Sequence, residues 1–220
     1  IINALDQLGR RTGVDFNGLR HSVAWLFGEQ VVASAAGLLL TIVLANLLSE
    51  TEYGTYKYLM TLAGLVGILS LSGVKSAATR AIAQGYEYEI HRATYTVLRW
   101  SGGMLFVALG LAAYYLYMGN ATLGYGALII AVAIPLDIAY SSFAAYLNGK
   151  QLYRQHAAYG ILYTGVPIAL TVGISFISSD PLILFMSFMI SQAIMALCLY
   201  YFTLYRYPPN EQRAEGTFRY

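Results

Sequence analysis

The sequence predicts an all-α polytopic membrane protein with six transmembrane helices and both termini in the cytoplasm. Composition gives the class, because 58% of the 220 residues are hydrophobic and only 11% are charged. A soluble domain carries about 25% charged residues, so this chain lacks the polar groups to cover a globule. The number of helices follows from six apolar stretches, each close to the roughly 20 residues that cross a bilayer.

The six stretches follow one another with short polar interruptions. We predict helices near 22–47, 54–74 with a polar extension to about 84, 94–118, 122–147, 155–177 and 181–206. Asp180 followed by Pro181 is a standard helix start, since Asp caps the first turn and Pro fits the first helical position. Pro135 leaves the carbonyl of Ala131 without its helical donor, so we expect a kink in the fourth helix.

The transmembrane domain, 21–207, lies between two polar segments. Residues 1–20 have Ile1, Ile2, Leu5 and Leu8 at helical spacing, which fits a cytoplasmic helix on the membrane surface as well as a disordered leader. Residues 208–220 begin with Pro208-Pro209 and form a predicted cytoplasmic linker.

The distribution of Lys and Arg predicts the orientation in the membrane. Lys57 alone falls on the side opposite the N-terminus. The side of the N-terminus carries Arg10, Arg11, Arg20, Lys75, Arg80, Arg92, Arg99, Lys150, Arg154, Arg206, Arg213 and Arg219. The first two helices therefore form a hairpin, with the acidic, Tyr-rich turn 49–56 outside and the basic ends in the cytoplasm.

Two carboxylates fall inside predicted spans, Glu29 and Asp137. A charge at mid-membrane costs on the order of 3 kcal/mol, so such groups face protein or a cavity and are often functional. Both are candidates for a proton or sodium site, Asp137 more than Glu29 because it lies deeper and near a proline. The alternative is a structural role, in which Glu29 hydrogen-bonds near the headgroups.

Polar side chains inside the spans predict either a cavity or contacts between helices. Ser141 and Asn148 share the helical face of Asp137, and Tyr140, Tyr159 and Tyr163 lie deeper than the tyrosines at the span ends. They either line a polar cavity or hydrogen-bond between helices, as is common in membrane bundles.

Three basic residues, Lys75, Arg80 and Arg99, lie at the cytoplasmic ends of the second and third helices. Membrane anchors that snorkel to the headgroups explain them. The alternative is that they bind an anionic headgroup such as a pyrophosphate, for which Arg offers a forked set of donors.

Motifs for catalysis, cofactors or nucleic acid are missing from the sequence. It has no phosphate-binding Gly-rich loop and no zinc-ligand spacing among His21, His91 and His156. Cys198 is a single cysteine in an apolar run and fits a packing role. We therefore expect no enzyme, no cofactor, no metal site and no nucleic-acid partner.

Several motifs resemble those of one membrane-protein family. They are Phe27-Gly28-Glu29-Gln30, the run 48–56 from Leu48 to Tyr56, Ser72-Gly73 with Arg80-Ala81-Ile82-Ala83, and Tyr146-Leu147-Asn148-Gly149-Lys150-Gln151. They resemble bacterial polysaccharide-biosynthesis membrane proteins, the O-antigen-type oligosaccharide flippases of the multidrug/oligosaccharidyl-lipid/polysaccharide exporter superfamily. The similarity covers most of 22–206, and its motifs are diffuse.

The resemblance implies a MATE-like architecture of two six-helix lobes that alternate access to a central cavity. This chain supplies one lobe, and either a missing second lobe or a second copy completes it. The implied substrate is a polyprenyl-pyrophosphate-linked oligosaccharide in the bacterial cytoplasmic membrane. By this resemblance Arg80, and less so Lys75 and Arg99, contact its headgroup, while Asp137 and Glu29 couple transport to H⁺ or Na⁺. The deep Tyr, Ser and Asn residues would line the glycan cavity.

Two other functions fit the same sequence. A cation-coupled multidrug exporter of the superfamily would depend on acidic cavity residues and need the basic set less. A non-transporting scaffold that binds polysaccharide-assembly proteins would tolerate loss of both carboxylates. An integral membrane glycosyltransferase would need an acidic metal or sugar-activating site, and none is visible.

Overall fold

The computed structural model describes residues 16–70 and 72–210, and side chains for 23–70 and 73–210. Within these ranges the protein consists of helices and short connections, with no strand. The helices are α1 (Phe16–Leu47), α2 (Glu50–Ile68), α3 (Ser72–Ala83), α4 (Glu89–Trp100), α5 (Gly102–Tyr117), α6 (Ala121–Tyr140), α7 (Phe143–Gly149), α8 (Tyr153–Ser175) and α9 (Pro181–Arg206). The predicted surface helix, apart from residues 16–20 in α1, and the linker residues 211–220 lie outside the described residues.

The all-α polytopic class is confirmed. Helices α1, α8 and α9 and the nearly continuous pairs α4–α5 and α6–α7 give five segments long and apolar enough to cross a membrane. The pair α2–α3 qualifies as a sixth span if its two helices are counted together, although they are bent by 59°. The predicted sixth helix, 181–206, agrees with α9 at both ends, and the Asp180 side chain accepts a hydrogen bond from the N–H of Leu182.

The acidic segment after α1 is helical, which corrects the predicted turn 49–56. Ser49 is the N-cap of α2 and accepts from the N–H of Glu52, while the Glu52 carboxylate accepts from the N–H of Ser49. This capping box satisfies donors at the helix start and lets α2 begin at Glu50. The carboxylates of Glu50 and Glu52 also lie at the positive end of the helix dipole.

The second predicted helix is not continuous. It breaks after Ile68, where the N–H of Leu69 bonds back to the carbonyl of Val66, and α3 then leaves in another direction. Lys75 therefore belongs to a separate helix that begins inside the predicted span.

The fourth predicted helix is interrupted at Ser141–Ser142, whereas Pro135 lies inside α6. The two serine hydroxyls donate to the carbonyls of Ile138 and Ala139, at 3.2 and 2.7 Å. Such side-chain bonds compete with the helical pattern, and they place the interruption after Tyr140. The kink expected at Pro135 stays a prediction, and the continuous helical face from Asp137 to Asn148 is divided between α6 and α7.

The α6–α7 segment is the centre of the bundle. Half of the residues in an apolar 18-residue stretch of α6–α7 are buried within the protein, whereas 11% are buried in the corresponding stretch of α1. Leu59, Ile130 and Phe185 are fully buried where α2, α6 and α9 meet. Helix α1 packs mainly along α8 and touches α2 little, so the predicted hairpin is a hairpin in chain order but not in packing.

Candidate functional site

Four elements place polar side chains together beside the break in the second span. Lys75 of α3 donates to the Ser141 hydroxyl at 2.7 Å, and Tyr163 of α8 donates to Asp137 Oδ1 at 2.6 Å. The charges of Lys75 and Asp137 attract each other without forming a direct salt bridge in the described part of the chain. The Gln192 side chain of α9 approaches the Tyr163 hydroxyl. We call these five residues the Lys75–Asp137 cluster.

The Lys75–Asp137 cluster lies within the membrane-spanning part of the protein. Asp137 is near the middle of the 29-residue segment Ala121–Gly149, and Lys75 follows closely on the break between α2 and α3. Both side chains are half-buried. Because an isolated charge is costly there, opposite charges held close together are the arrangement that a span can tolerate.

Close packing of α3 against α7 positions Lys75. The Thr79 hydroxyl, one turn after Lys75, lies 3.4 Å from the carbonyl of Ala145 and also bonds the Lys75 carbonyl. At Gly149 an added Cβ would lie 2.7 Å from Ile82 Cβ and 3.0 Å from the Thr79 carbonyl oxygen. Glycine at 149 therefore allows the helix approach that brings the Lys75 ammonium to Ser141.

Glu29 lies in a second, separate site between α1 and α8. Its Oε2 is 3.3 Å from His156 Nδ1, although the nitrogen lacks the alignment of a hydrogen bond. The other carboxylate oxygen occupies the space of the missing side chain of Gly160. Arg154 lies over the Trp25 ring at 5.6 Å on the same interface. The structure thus places the two predicted coupling carboxylates in different surroundings.

The three predicted headgroup residues do not share one orientation. Lys75 points inward to the α6–α7 junction, and Arg80 is exposed five residues later, about 140° further around the helix. Arg99 is exposed in the last turn of α4. Neither arginine has an ion pair with another described residue. Their contact with a headgroup stays a prediction.

The deep tyrosines divide into two groups. Tyr163 belongs to the Lys75–Asp137 cluster, and its ring also meets Phe143 edge-on at 5.9 Å. Tyr140 packs edge-on against Tyr200 of α9 at 5.3 Å. In the same way, Tyr159 packs against Phe202 at 5.8 Å. These two tyrosines therefore pack their rings between helices. Asn148 is half-buried on α7, and its side-chain oxygen lacks a hydrogen-bond partner.

Comparison with known proteins assigns the family. The polysaccharide biosynthesis protein family matches residues 19–218. The chain belongs to this family. Neither a curated protein nor a solved structure matches the chain. The resemblance seen in the sequence is confirmed at the level of the family, and this family member is a multi-pass membrane protein associated with polysaccharide biosynthesis.

A polar stripe on α1 and α2 of this family member was not predicted. Gln30, Ser34 and Thr41 recur at helical spacing on one face of α1, where the first two are exposed. Lys57 and Thr61 are exposed one turn apart on α2, and Lys57 Nζ reaches the Thr41 hydroxyl at 3.5 Å. Exposed polar groups in a span favour contact with water or another polar surface over lipid.

The sequence analysis did not single out Gln192, because it is an uncharged residue inside the apolar stretch 181–206. An uncharged amide inside an apolar run is detectable as a break in hydropathy, but its partner is decided only by packing. Among the described residues no group of three metal-ligating side chains comes together.

Proposed function

We propose that this protein is a lobe of a flippase that moves a polyprenyl-pyrophosphate-linked oligosaccharide across the bacterial cytoplasmic membrane by alternating access. The observation that carries the proposal is a lysine and an aspartate held together beside a broken span, in a member of a polysaccharide biosynthesis family. Broken helices and intramembrane ionisable groups mark substrate and ion sites in transporters. No bond is made or broken, so the protein is proposed to be a transporter and not an enzyme.

The Lys75–Asp137 cluster offers a simple exchange. In the resting protein the Lys75 ammonium is balanced by the Asp137 carboxylate nearby. A pyrophosphate carries more negative charge and competes for Lys75, which leaves Asp137 without its counter-charge. Asp137 then takes up H⁺ or Na⁺, so headgroup binding and ion binding favour each other, as linked equilibria require.

The polar stripe supplies a surface for the hydrophilic part of the substrate. Gln30, Ser34, Thr41, Lys57 and Thr61 lie on neighbouring helices, and little of α1 is covered by the rest of the lobe. In the proposed transporter this face meets the second lobe, contributed by the same polypeptide or by another copy, and the glycan passes between them. The lipid tail stays in the bilayer.

The test measures translocation of a fluorescent polyprenyl-pyrophosphate oligosaccharide in proteoliposomes. The key variant is Lys75→Met combined with Asp137→Asn, which removes both charges together and so avoids an unpaired buried charge. We expect the double variant to fold and to lose at least tenfold in rate. Thr61→Ser is the matched control and keeps its hydroxyl on the polar stripe. Undiminished translocation by the double variant would refute the exchange.

The second candidate is a cation-coupled multidrug exporter, favoured by the same intramembrane carboxylate, Asp137. It needs Asp137 but not Lys75. Efflux of a cationic dye that survives Lys75→Met but not Asp137→Asn would support the exporter. A scaffold for polysaccharide-assembly proteins would leave surface polysaccharide intact in both variants.

A further inference from the structure

A cleft of about 650 Å³ opens at the outer ends of α2 and α6, on the side opposite the basic helix ends. It is separate from the Lys75–Asp137 cluster, which lies beyond the break at Ile68. Its polar lining comes from Thr51, Glu52, Thr55, Tyr58, Asn120 and Thr122, and Pro181 closes it from α9. We call it the outer cleft. Its size falls within the range of about 300–1,000 Å³ that is usual for small-molecule sites.

The outer cleft presents hydrogen-bonding groups that the fold uses only in part. The side-chain oxygen of Asn120 accepts a hydrogen bond from the N–H of Leu123 at 3.1 Å, which leaves both amide hydrogens to donate to a ligand. Glu52 accepts from Ser49 through Oε2 and retains the other oxygen. The hydroxyls of Thr51 and Thr122 have no hydrogen bond to another described residue. Donors, acceptors and hydroxyls thus line one concavity.

An aromatic wall completes the outer cleft. The Tyr58 hydroxyl is fixed by the Tyr115 hydroxyl at 2.6 Å, and the two rings meet edge-on with centroids 6.4 Å apart. This contact holds the Tyr58 ring in place beside the cleft. A fixed ring next to hydroxyl and amide groups suits a ligand with apolar C–H faces and many hydroxyls, because both of its surfaces then find partners.

The charge of the outer cleft selects against the pyrophosphate end of the substrate. No cationic residue lines it in the described part of the chain, and Glu52 contributes a carboxylate. The nearby Lys57 is directed to Thr41 and to the Tyr53 ring, 5.4 Å from its centroid. An anionic ligand would be repelled, whereas a neutral sugar would not.

We infer that the outer cleft is a binding site for the neutral sugar portion of the glycan on the outer side of the membrane. The inference rests on the proposed transport function for its ligand, since a lipid-linked glycan is the substrate proposed above. It adds a second site, distinct from the headgroup site, which would hold the sugars after passage.

Binding is measured by saturation-transfer difference NMR on the detergent-purified full chain. The probes are glucose, galactose and N-acetylglucosamine, with inorganic pyrophosphate as competitor. We expect transfer to at least one sugar, and no displacement by pyrophosphate. Gly54 also lines the outer cleft, and an added Cβ at this position meets nothing within 4 Å. Gly54→Trp therefore fills the cleft and should abolish transfer.

Two gentler variants test the hydrogen bonds. Asn120→Asp keeps the oxygen that caps α6 but removes the amide hydrogens, and Thr122→Val removes a hydroxyl. Each should weaken binding about tenfold, the usual effect of leaving one polar partner unpaired. Thr96→Val, on α4 and outside both the cleft and the polar stripe, is the matched control and should bind like the parent.

The outcomes separate this inference from the proposed function. Absence of transfer to all three sugars, or equal transfer in Gly54→Trp, overturns the outer cleft as a sugar site even if the same preparation flips the lipid-linked oligosaccharide. Sugar binding by the parent protein that is lost in Gly54→Trp supports the site. If the same parent preparation then fails to translocate the lipid-linked oligosaccharide, that failure counts against the flippase alone.

Discussion

Removing the charge of Lys75 is the sharpest test of the Lys75–Asp137 cluster. Lys75→Met leaves Asp137 with the Tyr163 hydrogen bond and removes the one cation that acts on it among the described residues. Because the attraction acts without a direct salt bridge between the two side chains, the relevant cost is that of a lone aspartate at mid-membrane, which is about 3 kcal/mol. We therefore expect Lys75→Met to lower the free energy of unfolding by about 3 kcal/mol. At about 2–4 °C per kcal/mol for a chain of this size, the Tm should fall by about 10 °C.

The double variant distinguishes electrostatics from packing. Lys75→Met with Asp137→Asn removes both charges, so its stability should return to within about 1 kcal/mol of the parent. Thermal unfolding of the detergent-solubilised protein, followed by tryptophan fluorescence, measures the Tm of Lys75→Met, of Asp137→Asn and of the double variant. Arg80→Met, on the same helix but exposed, is the control and should stay within about 0.5 kcal/mol. If the two single losses simply add in the double variant, the residues do not interact and the reasoning is refuted.

Three further predictions concern other parts of the structure. Gly160→Ala should destabilise by about 1–3 kcal/mol, because the new methyl occupies the space of the Glu29 carboxylate. Ser49→Ala should cost about 1 kcal/mol through loss of the α2 cap. Burial disfavours the charge of Glu87, but bonds from Lys150, from a backbone N–H and from a tyrosine hydroxyl outweigh it and lower its pKa below the usual 4.5. Its stabilising contribution is therefore complete above about pH 5 and is lost as the pH falls through the lowered pKa.

Each of these three predictions has its own control, measured by thermal unfolding. Gly165→Ala, on the same helix as Gly160 with open space around the new methyl, should be neutral or stabilising. Glu52→Gln preserves the capping box and should cost less than Ser49→Ala. Glu87→Gln tests the third prediction and should reduce the fall in Tm as the pH drops below about 5. A profile identical to that of the parent would contradict the role of Glu87.

Glu87 also shows how the end of the lobe is held. Lys150 Nζ lies 3.0 Å from both of its carboxylate oxygens, and the N–H of Asn210 donates to it at 3.1 Å. Tyr146 donates to the carbonyl of Tyr207 at 2.9 Å. The segment after α9 is thus fixed to the C-terminal end of α7 and to the loop before α4. None of these partners carries a sequence signal that identifies the other.

The sequence by itself determined the properties that depend on local composition. Hydropathy and length predicted the membrane class and both ends of the sixth helix. The orientation predicted from the Lys and Arg distribution stays a prediction. Motifs such as Phe27-Gly28-Glu29-Gln30 gave the family, which the match over 19–218 confirms. Ser49 and Glu52 also have the sequence spacing of a capping box, which favours a helix start over the predicted turn 49–56.

Only the tertiary structure decided how these elements are used. The apolar pattern through 54–74 fits a straight helix as well as a bent one, because hydropathy does not report the direction of the backbone. The 59° bend is therefore known only from the tertiary structure. The same holds for Asp137: its depth was readable, but its partners Lys75 and Tyr163 lie 62 and 26 positions away in the chain. Residues so distant meet through packing of α3, α6 and α8, and no local rule relates them. The sequence thus identified the charged groups inside the spans, and the packing of the helices determines which of them lie close enough to form a site.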